Sequence, residues 1–320
     1  MSGITVRFWG TRGSLPVALT THDVRAKLAR ALLAAAGENI DTMEKARAFA
    51  DSLPFAVGNT FGGNSSCVGL QAAGTPEVLL DIGSGGRQAG IDALRRLAGK
   101  PGDFHIFMSH LHWDHIMGFP FFTPAYLPGH HIRIYGCHAE LEQAFRLQQA
   151  APCFPVDLSR MGARIEFIQL ETERAYEIAG YRVTARLQSH GGDSYGYRFE
   201  RDGRAVVYST DSEHKLEDTA AEMSFVEFFR DADLVIFDAM YSLADSISVK
   251  EDWGHSSNVV GVEFCQMANA KHLVLFHHEP AHDDAMIELL WRESQRLEEI
   301  TRGEHRLEVT AAYDGLEIVL

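Results

Sequence analysis

The spacing of apolar residues changes period several times along the chain, and each change predicts an element. Residues 4–9 read as a strand that ends in the turn Gly10-Thr-Arg-Gly13. From about residue 22 to residue 52 the period becomes helical. Leu28, Ala29, Leu32, Leu33 and Ala36 recur at helical spacing, Gly37 stops the run, and residues 42–50 restart it. The pattern predicts a helical hairpin at about residues 20–57, set between two strands, with residues 58–63 returning the chain to sheet.

Strand-like runs follow at 66–72, 78–82, 105–109 and 131–135, with helices predicted over 89–97 and 139–149. The second half repeats the pattern at 164–170, 181–188, 196–201, 205–209, 234–238 and 272–276. Helices are predicted around 258–268 and 284–299, and 306–320 closes as strand, turn, strand. Strands in both halves with helices among them predict an α/β fold in which two sheets pack face to face under helices. The whole of 1–320 reads as a single domain, with 20–57 as a helical insertion.

Composition narrows the function. The chain has 320 residues, 46% of them hydrophobic, which is ample for a core and too apolar for disorder. Its 29 Lys+Arg against 44 Asp+Glu leave a net charge of −15. A protein that neutralises nucleic-acid phosphates needs a dense basic surface, so no large nucleic acid is expected as partner. A small anionic substrate stays compatible, because a metal supplies positive charge locally. Cys67, Cys137, Cys153 and Cys265 lie far apart without a Cys-x-x-Cys pair, which fits a reduced, cytoplasmic setting. The chain opens without a signal-peptide pattern, and no apolar run nears the roughly 18 residues of a membrane span, so no membrane association is expected.

The 16 histidines are clustered. His105, His110, His112 and His115 fall within eleven positions, and His272, His277, His278 and His282 within another eleven. The densest run is Ser109-His110-Leu-His112-Trp-Asp114-His115, directly after an apolar strand. Residues two apart in extended chain point the same way, so His110 and His112 can face one metal, and a following turn would aim Asp114 and His115 at a second position. Four ligand-type side chains in six residues are a costly way to fill a core, since each buried polar group needs a partner. His190, Asp211 and His277 each follow an apolar strand, where sheet architectures place functional groups.

In its order of motifs the chain resembles the metallo-β-lactamase superfamily of dinuclear metallohydrolases. The likeness rests on His110-x-His112-x-Asp114-His115, on His190, Asp211 and His277 downstream, and on Asp81 in Leu79-Leu-Asp-Ile-Gly83 upstream. Gly10-Thr-Arg-Gly-Ser14, Gly62-Gly-Asn-Ser-Ser66 and Tyr313-Asp-Gly-Leu-Glu-Ile318 belong with it. The phosphodiesterase branch, with ribonuclease Z and small cyclic-phosphate or cyclic-nucleotide phosphodiesterases, is the most similar part of the superfamily.

The resemblance implies an αββα sandwich. It implies that His110, His112 and His190 hold one metal and Asp114, His115 and His277 another, with Asp211 bridging. Asp81 would hydrogen-bond a ligand imidazole and fix its tautomer. His with carboxylates and no thiolate favours two divalent ions, Zn²⁺ ahead of Mn²⁺ or Fe²⁺. Flavodiiron members carry Glu where this chain has His112, which points to hydrolysis rather than oxygen chemistry.

His255, in Trp253-Gly-His-Ser-Ser257, resembles the ribonuclease Z histidine that contacts the scissile phosphate, and Asp238 would support it. Asp114 and His255 are thus the residues expected to carry catalysis. The expected reaction is attack on a small phosphodiester by a metal-bridging hydroxide. A thioester, lactone or other carbonyl substrate is the same-fold alternative, and ribonuclease Z-like RNA processing is disfavoured by the −15 charge. The hairpin at 20–57 is read as a lid or a homodimer contact.

Overall fold

In the computed structural model, residues 3–214, 219–242 and 254–320 are described. The alternation in the first segment becomes β1 (Ile4–Gly10), where Ile4, Val6 and Phe8 are buried and Thr5, Arg7 and Trp9 are half-buried on the other face. β1 sits in a seven-stranded sheet with β2 (Cys67–Ala72), β3 (Glu77–Leu80), β4 (Asp103–Phe107), β5 (His131–Gly136), β6 (Arg164–Gln169) and β14 (Glu317–Val319). Its order is β14-β1-β2-β3-β4-β5-β6. The second sheet holds β7 (Ala175–Ile178), β8 (Tyr181–Gln188), β9 (Ser194–Arg201), β10 (Arg204–Ser209), β11 (Leu234–Asp238), β12 (His272–Phe276) and β13 (Glu308–Ala311). Its order is β13-β12-β11-β10-β9-β8-β7.

Each sheet gives one face to the other. Val6, Phe8, Leu70, Leu80 and Phe107 meet Tyr181, Tyr197, Phe199, Tyr208, Ile236 and Phe276 in a common core. The opposite faces take helices. Phe104 and Ile106 of β4 pack under the helix Gly86–Leu97 through Ala89 and Ala93. Val207, Val235, Phe237 and Leu273 pack under the helices Thr219–Phe229 and Asn258–Met267. The layers are therefore αββα, the sandwich that the sequence predicts.

The parallel runs β3 to β6 and β10 to β13 send the C-terminal ends of β4, β10, β11 and β12 to one edge of the sandwich. Loops there collect the site described below.

Residues 58–63 depart from the prediction. Phe55–Gly58 is a single helical turn, and 59–66 is loop. The reason is that backbone N–H groups of this stretch bond to side chains, not to a strand: Gly63 and Asn64 each donate to Asp314 Oδ2 at 3.0 Å. β7 and the helix Thr219–Phe229 were not predicted; β7 is a four-residue edge strand without a buried residue.

Residues 20–57 form the helices Thr21–Ala34 and Met43–Ser52, capped by the side chains of Thr20 and Thr42. Neither helix buries a residue. The first turns Lys27 inward, where Nζ sits 2.6 Å from Asp284 Oδ2, and leaves Val24, Leu28, Leu32 and Leu33 52–78% exposed. No helix among the described residues is long and apolar enough to cross a membrane.

Candidate metal centre

β4 delivers the histidine run to the sandwich edge. Beyond Phe107 the chain bends at Ser109, runs on to His112, and turns through the short helix Trp113–Ile116. That turn brings His115 back beside His110, with ring centroids 4.0 Å apart. His190 enters from the loop after β8, Asp211 from the end of β10, and His277 from the end of β12.

The seven residues converge as two neighbouring groups. One ligand atom from each of His110, His112 and His190 lies within 4.8 Å of the others, and the same holds for Asp114, His115, Asp211 and His277. Asp211 stands between the groups. Its Oδ2 is 3.4 Å from His110 Nε2 and 3.9 Å from His190 Nε2, while its Oδ1 is 3.3 Å from Nε2 of both His115 and His277. Asp114 Oδ2 closes the second group, 3.0 Å from His115 Nε2 and 3.3 Å from His277 Nε2.

The rings are aimed by their other nitrogens. His115 Nδ1 donates to Asp81 Oδ2 at 2.7 Å, which aims Nε2 at Asp114 and Asp211. Asp81 also accepts from Ser109 N (2.7 Å), Ser109 Oγ (2.6 Å) and Tyr208 OH (2.8 Å). His190 Nδ1 donates to the Gly254 carbonyl at 2.8 Å, and Ser14 N donates to Asp114 Oδ2 at 2.8 Å. Ser14, Ser109 and Tyr208 are supporting residues to which the sequence assigns no role, although Ser14 ends the Gly10-Thr-Arg-Gly-Ser14 motif and Ser109 opens the histidine run.

Close approach explains two glycines. A Cβ on Gly13 would stand 2.5 Å from His277 Cε1, and one on Gly254, at φ +82°, 2.4 Å from His190 Nδ1. Asp81, Asp211 and His277 are themselves left-handed, with φ of 56°, 48° and 60°. Such backbone costs about 1 kcal/mol or more per residue, so the surrounding contacts hold these side chains in place against local preference.

Electrostatics follow from burial and charge. Burial and the neighbouring His115 push His110 well below the ordinary imidazole value. Burial alone would depress His115 too, but the Asp114, Asp211 and Asp81 carboxylates reverse this and raise it well above. Asp114 and Asp211 are held far below the usual carboxylate range, because the imidazoles around them outweigh their burial. His110 Nε2 is fully buried and makes no hydrogen bond among the described residues. A buried ring nitrogen without a hydrogen bond, among five imidazoles, two carboxylates and no thiolate, fits a divalent cation of the Zn²⁺ type.

His255 lies against this cluster. Its ring stacks 5.1 Å from that of His277 and stands 5.2 Å from that of His190, and Nδ1 is 2.8 Å from Oδ2 of the fully buried Asp238. Asp238 is in turn fixed by the N–H groups of Met240 and Ser212. Ser257, not His255, caps the following helix, through the N–H of Val260. Burial opposes a charge on His255, but Asp238 outweighs it and carries the group up to about 9.

Other residues near the motifs fall elsewhere. His278 donates to the Ala312 carbonyl and packs on Phe61; burial drops it to about 3. His214 sits among Phe225, Phe237 and Phe264 rather than at the centre. Phe119 and Phe122 are core, whereas Phe121 is 56% exposed.

An αββα sandwich with a histidine and aspartate cluster at its strand ends is the architecture of metal-dependent hydrolases. The chain belongs to one such family: residues 78–278 match the model described as the beta-lactamase superfamily domain. A ribonuclease Z of Staphylococcus saprophyticus is 32% identical over 103 residues, which span 30% of this chain and 31% of that protein. Among solved structures, the metallo-β-lactamase fold protein YhfI from Bacillus subtilis superposes with TM-score 0.65 at 18% identity over all of both chains. A diphosphatase from the PhnP family superposes with TM-score 0.59 at 19% identity, over 98% of this chain and 97% of its own.

Proposed function

We propose that the chain is a dinuclear metal-dependent phosphodiesterase acting on a small phosphodiester, a cyclic nucleotide or cyclic phosphate. The observation that carries this reading is Asp211, whose two oxygens divide between two groups of ligand-type side chains. His110, His112 and His190 would hold one ion, Asp114, His115 and His277 the other, and Asp211 would be shared. Bound there, two divalent cations supply Lewis acidity and a water activated near neutral pH. Similarity to a ribonuclease and to a diphosphatase supports phosphorus chemistry, and the −15 charge supports a small substrate over a long nucleic acid.

The chain's own groups do the remaining work. Asp81 and the Gly254 carbonyl keep the protons of His115 and His190 on Nδ1, so that both Nε2 atoms face inward. Ser14 N–H fixes the carboxylate of Asp114. Asp238 holds His255 through Nδ1 and favours its protonated form, so Nε2 has a proton to give to a leaving oxygen at neutral pH.

The test compares leaving groups. His255→Ala is expected to lower kcat about a hundredfold for a 2′,3′-cyclic nucleotide, whose alkoxide must be protonated. The loss is expected to be far smaller for bis(p-nitrophenyl) phosphate, whose leaving group needs no proton. Equal losses on both substrates would remove the proton-donor role. Faster turnover of a thioester or lactone than of any phosphodiester would remove the phosphodiesterase reading.

The exposed stripe on the helix Thr21–Ala34 favours a dimer contact over a lid. That helix carries exposed Arg25 and Arg30 against Asp23, Lys27 being paired inward with Asp284, while residues 38–51 carry Glu38, Asp41, Glu44 and Asp51 against Lys45 and Arg47. A second copy related by a two-fold axis would cover the leucines and set basic flank over acidic flank. In sedimentation velocity, the wild type is expected to run as a dimer and a Leu28→Glu, Leu32→Glu variant as a monomer; a monomeric wild type at tens of micromolar refutes the contact. The cysteines Cys67, Cys137, Cys153 and Cys265 are all free, which supports a reducing, cytoplasmic location.

A further inference from the structure

The three-histidine group is assembled from both halves of the sandwich. His110 and His112 follow β4 of the first sheet, whereas His190 sits in the turn between β8 and β9 of the second. Gly191, Gly192 and Asp193, which complete that turn, are exposed, and two of them are left-handed, Gly192 at φ +87° and Asp193 at +57°. At its start the turn is held by the His190 Nδ1 bond to the Gly254 carbonyl and by the Glu213 N–H bond to the Ser189 carbonyl, both 2.8 Å. His190 Nε2 must stay within reach of His112 Nδ1, now 3.3 Å away.

His138 crosses this gap. It follows β5, the strand paired with β4, and its Nε2 lies 3.0 Å from the Asp193 carbonyl oxygen. A carbonyl only accepts, so Nε2 carries the proton. The side chain is 7% exposed, and Nδ1 is buried with no partner among the described residues. With nothing to receive a proton from Nδ1, the ring is kept in the one tautomer that can donate to Asp193. The ring of Tyr195, edge-on at 4.8 Å, fixes its plane. A Tyr195 backbone N–H bond to the Ser109 carbonyl, at 2.8 Å, joins the start of β9, just after the turn, to the residue before His110.

We propose that His138 is a positioning residue for the three-histidine metal site, acting through the His190 turn and touching neither metal nor substrate. It ties the turn of the second sheet to the strand beside the one that bears His110 and His112. The proposal rests on the dinuclear reading above. It assigns a function to a buried histidine outside both the ligand set and the His255 pair.

Stepwise Co²⁺ titration of the metal-stripped full-length chain, followed by visible absorption and by metal analysis, tests it. His138→Ala should weaken one of the two binding steps about tenfold or more, the range found when a group supporting a ligand is lost, and leave the other step unchanged. His138→Gln, whose amide N–H can reach the place of Nε2, should restore the step. His138→Asn, whose amide matches Nδ1, should not. Melting of the metal-free variants should match that of wild type.

Equal weakening of both steps together with lower melting would make His138 a packing residue only, and overturn the proposal. Two unchanged steps would overturn it as well while leaving the dinuclear reading intact. A wild-type chain that takes up fewer than two ions would overturn that reading and this proposal with it.

Discussion

Asp211→Asn is expected to lower kcat on bis(p-nitrophenyl) phosphate roughly a thousandfold, about 4 kcal/mol of transition-state stabilisation, and to leave one metal per chain where the wild type is expected to hold two. The expectation follows from position. Asp211 is 2% exposed, lies two residues beyond β10 in left-handed backbone, and presents Oδ1 to His115 and His277 and Oδ2 to His110 and His190. Asparagine keeps the shape and one oxygen, so the loop should still form. It removes the negative charge between the two groups and replaces one acceptor by an NH₂ that repels a cation. Metal analysis and kinetics on the same preparation provide the check. A variant that keeps two ions and more than a tenth of wild-type activity would show that Asp211 is not shared.

The ligand-type residues were legible because their chemistry is local. Four sit in six residues behind one strand, and His190, Asp211 and His277 each end an apolar run. His277 rather than His278 is read as the ligand because it stands where the resembled family has its histidine, directly after the strand; His278 turns instead to the Ala312 carbonyl. What supports the ligands was less legible. Ser109 and Tyr208 reach Asp81 across 28 and 127 residues, and nothing in an apolar strand marks which hydroxyl will meet a carboxylate.

The helical insertion shows a different limit. A 3.6-residue period over residues 24–33 predicts a helix correctly, but it does not say which face turns inward. Lys27 decides that, because its partner Asp284 lies 257 positions away, and the leucines are left outside. Residues 58–63 failed for a similar reason. Asp314, at the far end of the chain, takes the N–H groups that a neighbouring strand would have bonded.

Stripping the metals should abolish hydrolysis and lower the thermal midpoint by roughly 15 °C or more. A ligand present at a thousand times its Kd stabilises the folded state by about 4 kcal/mol, and two such sites double that. The size of the loss should depend on pH. In the metal-free chain His115 is raised well above the ordinary imidazole value by Asp114, Asp211 and Asp81, so its contribution is fully present below about pH 6.5 and is lost as pH rises through the raised value. Asp114 and Asp211 are depressed, so theirs is present above about pH 4 and is lost only in strong acid. Between pH 6 and 8 the carboxylates therefore contribute a constant amount, and the proton on His115 competes with a cation for Nε2. Binding must expel that proton, so the metal-dependent gain in midpoint should grow from pH 6 to pH 8, with protons released on uptake. Calorimetric scans with and without chelator at both pH values measure the gain, and titrations in buffers of different ionisation enthalpy count the protons. A gain that shrinks with rising pH, or uptake without proton release, would mean that His115 is not a ligand.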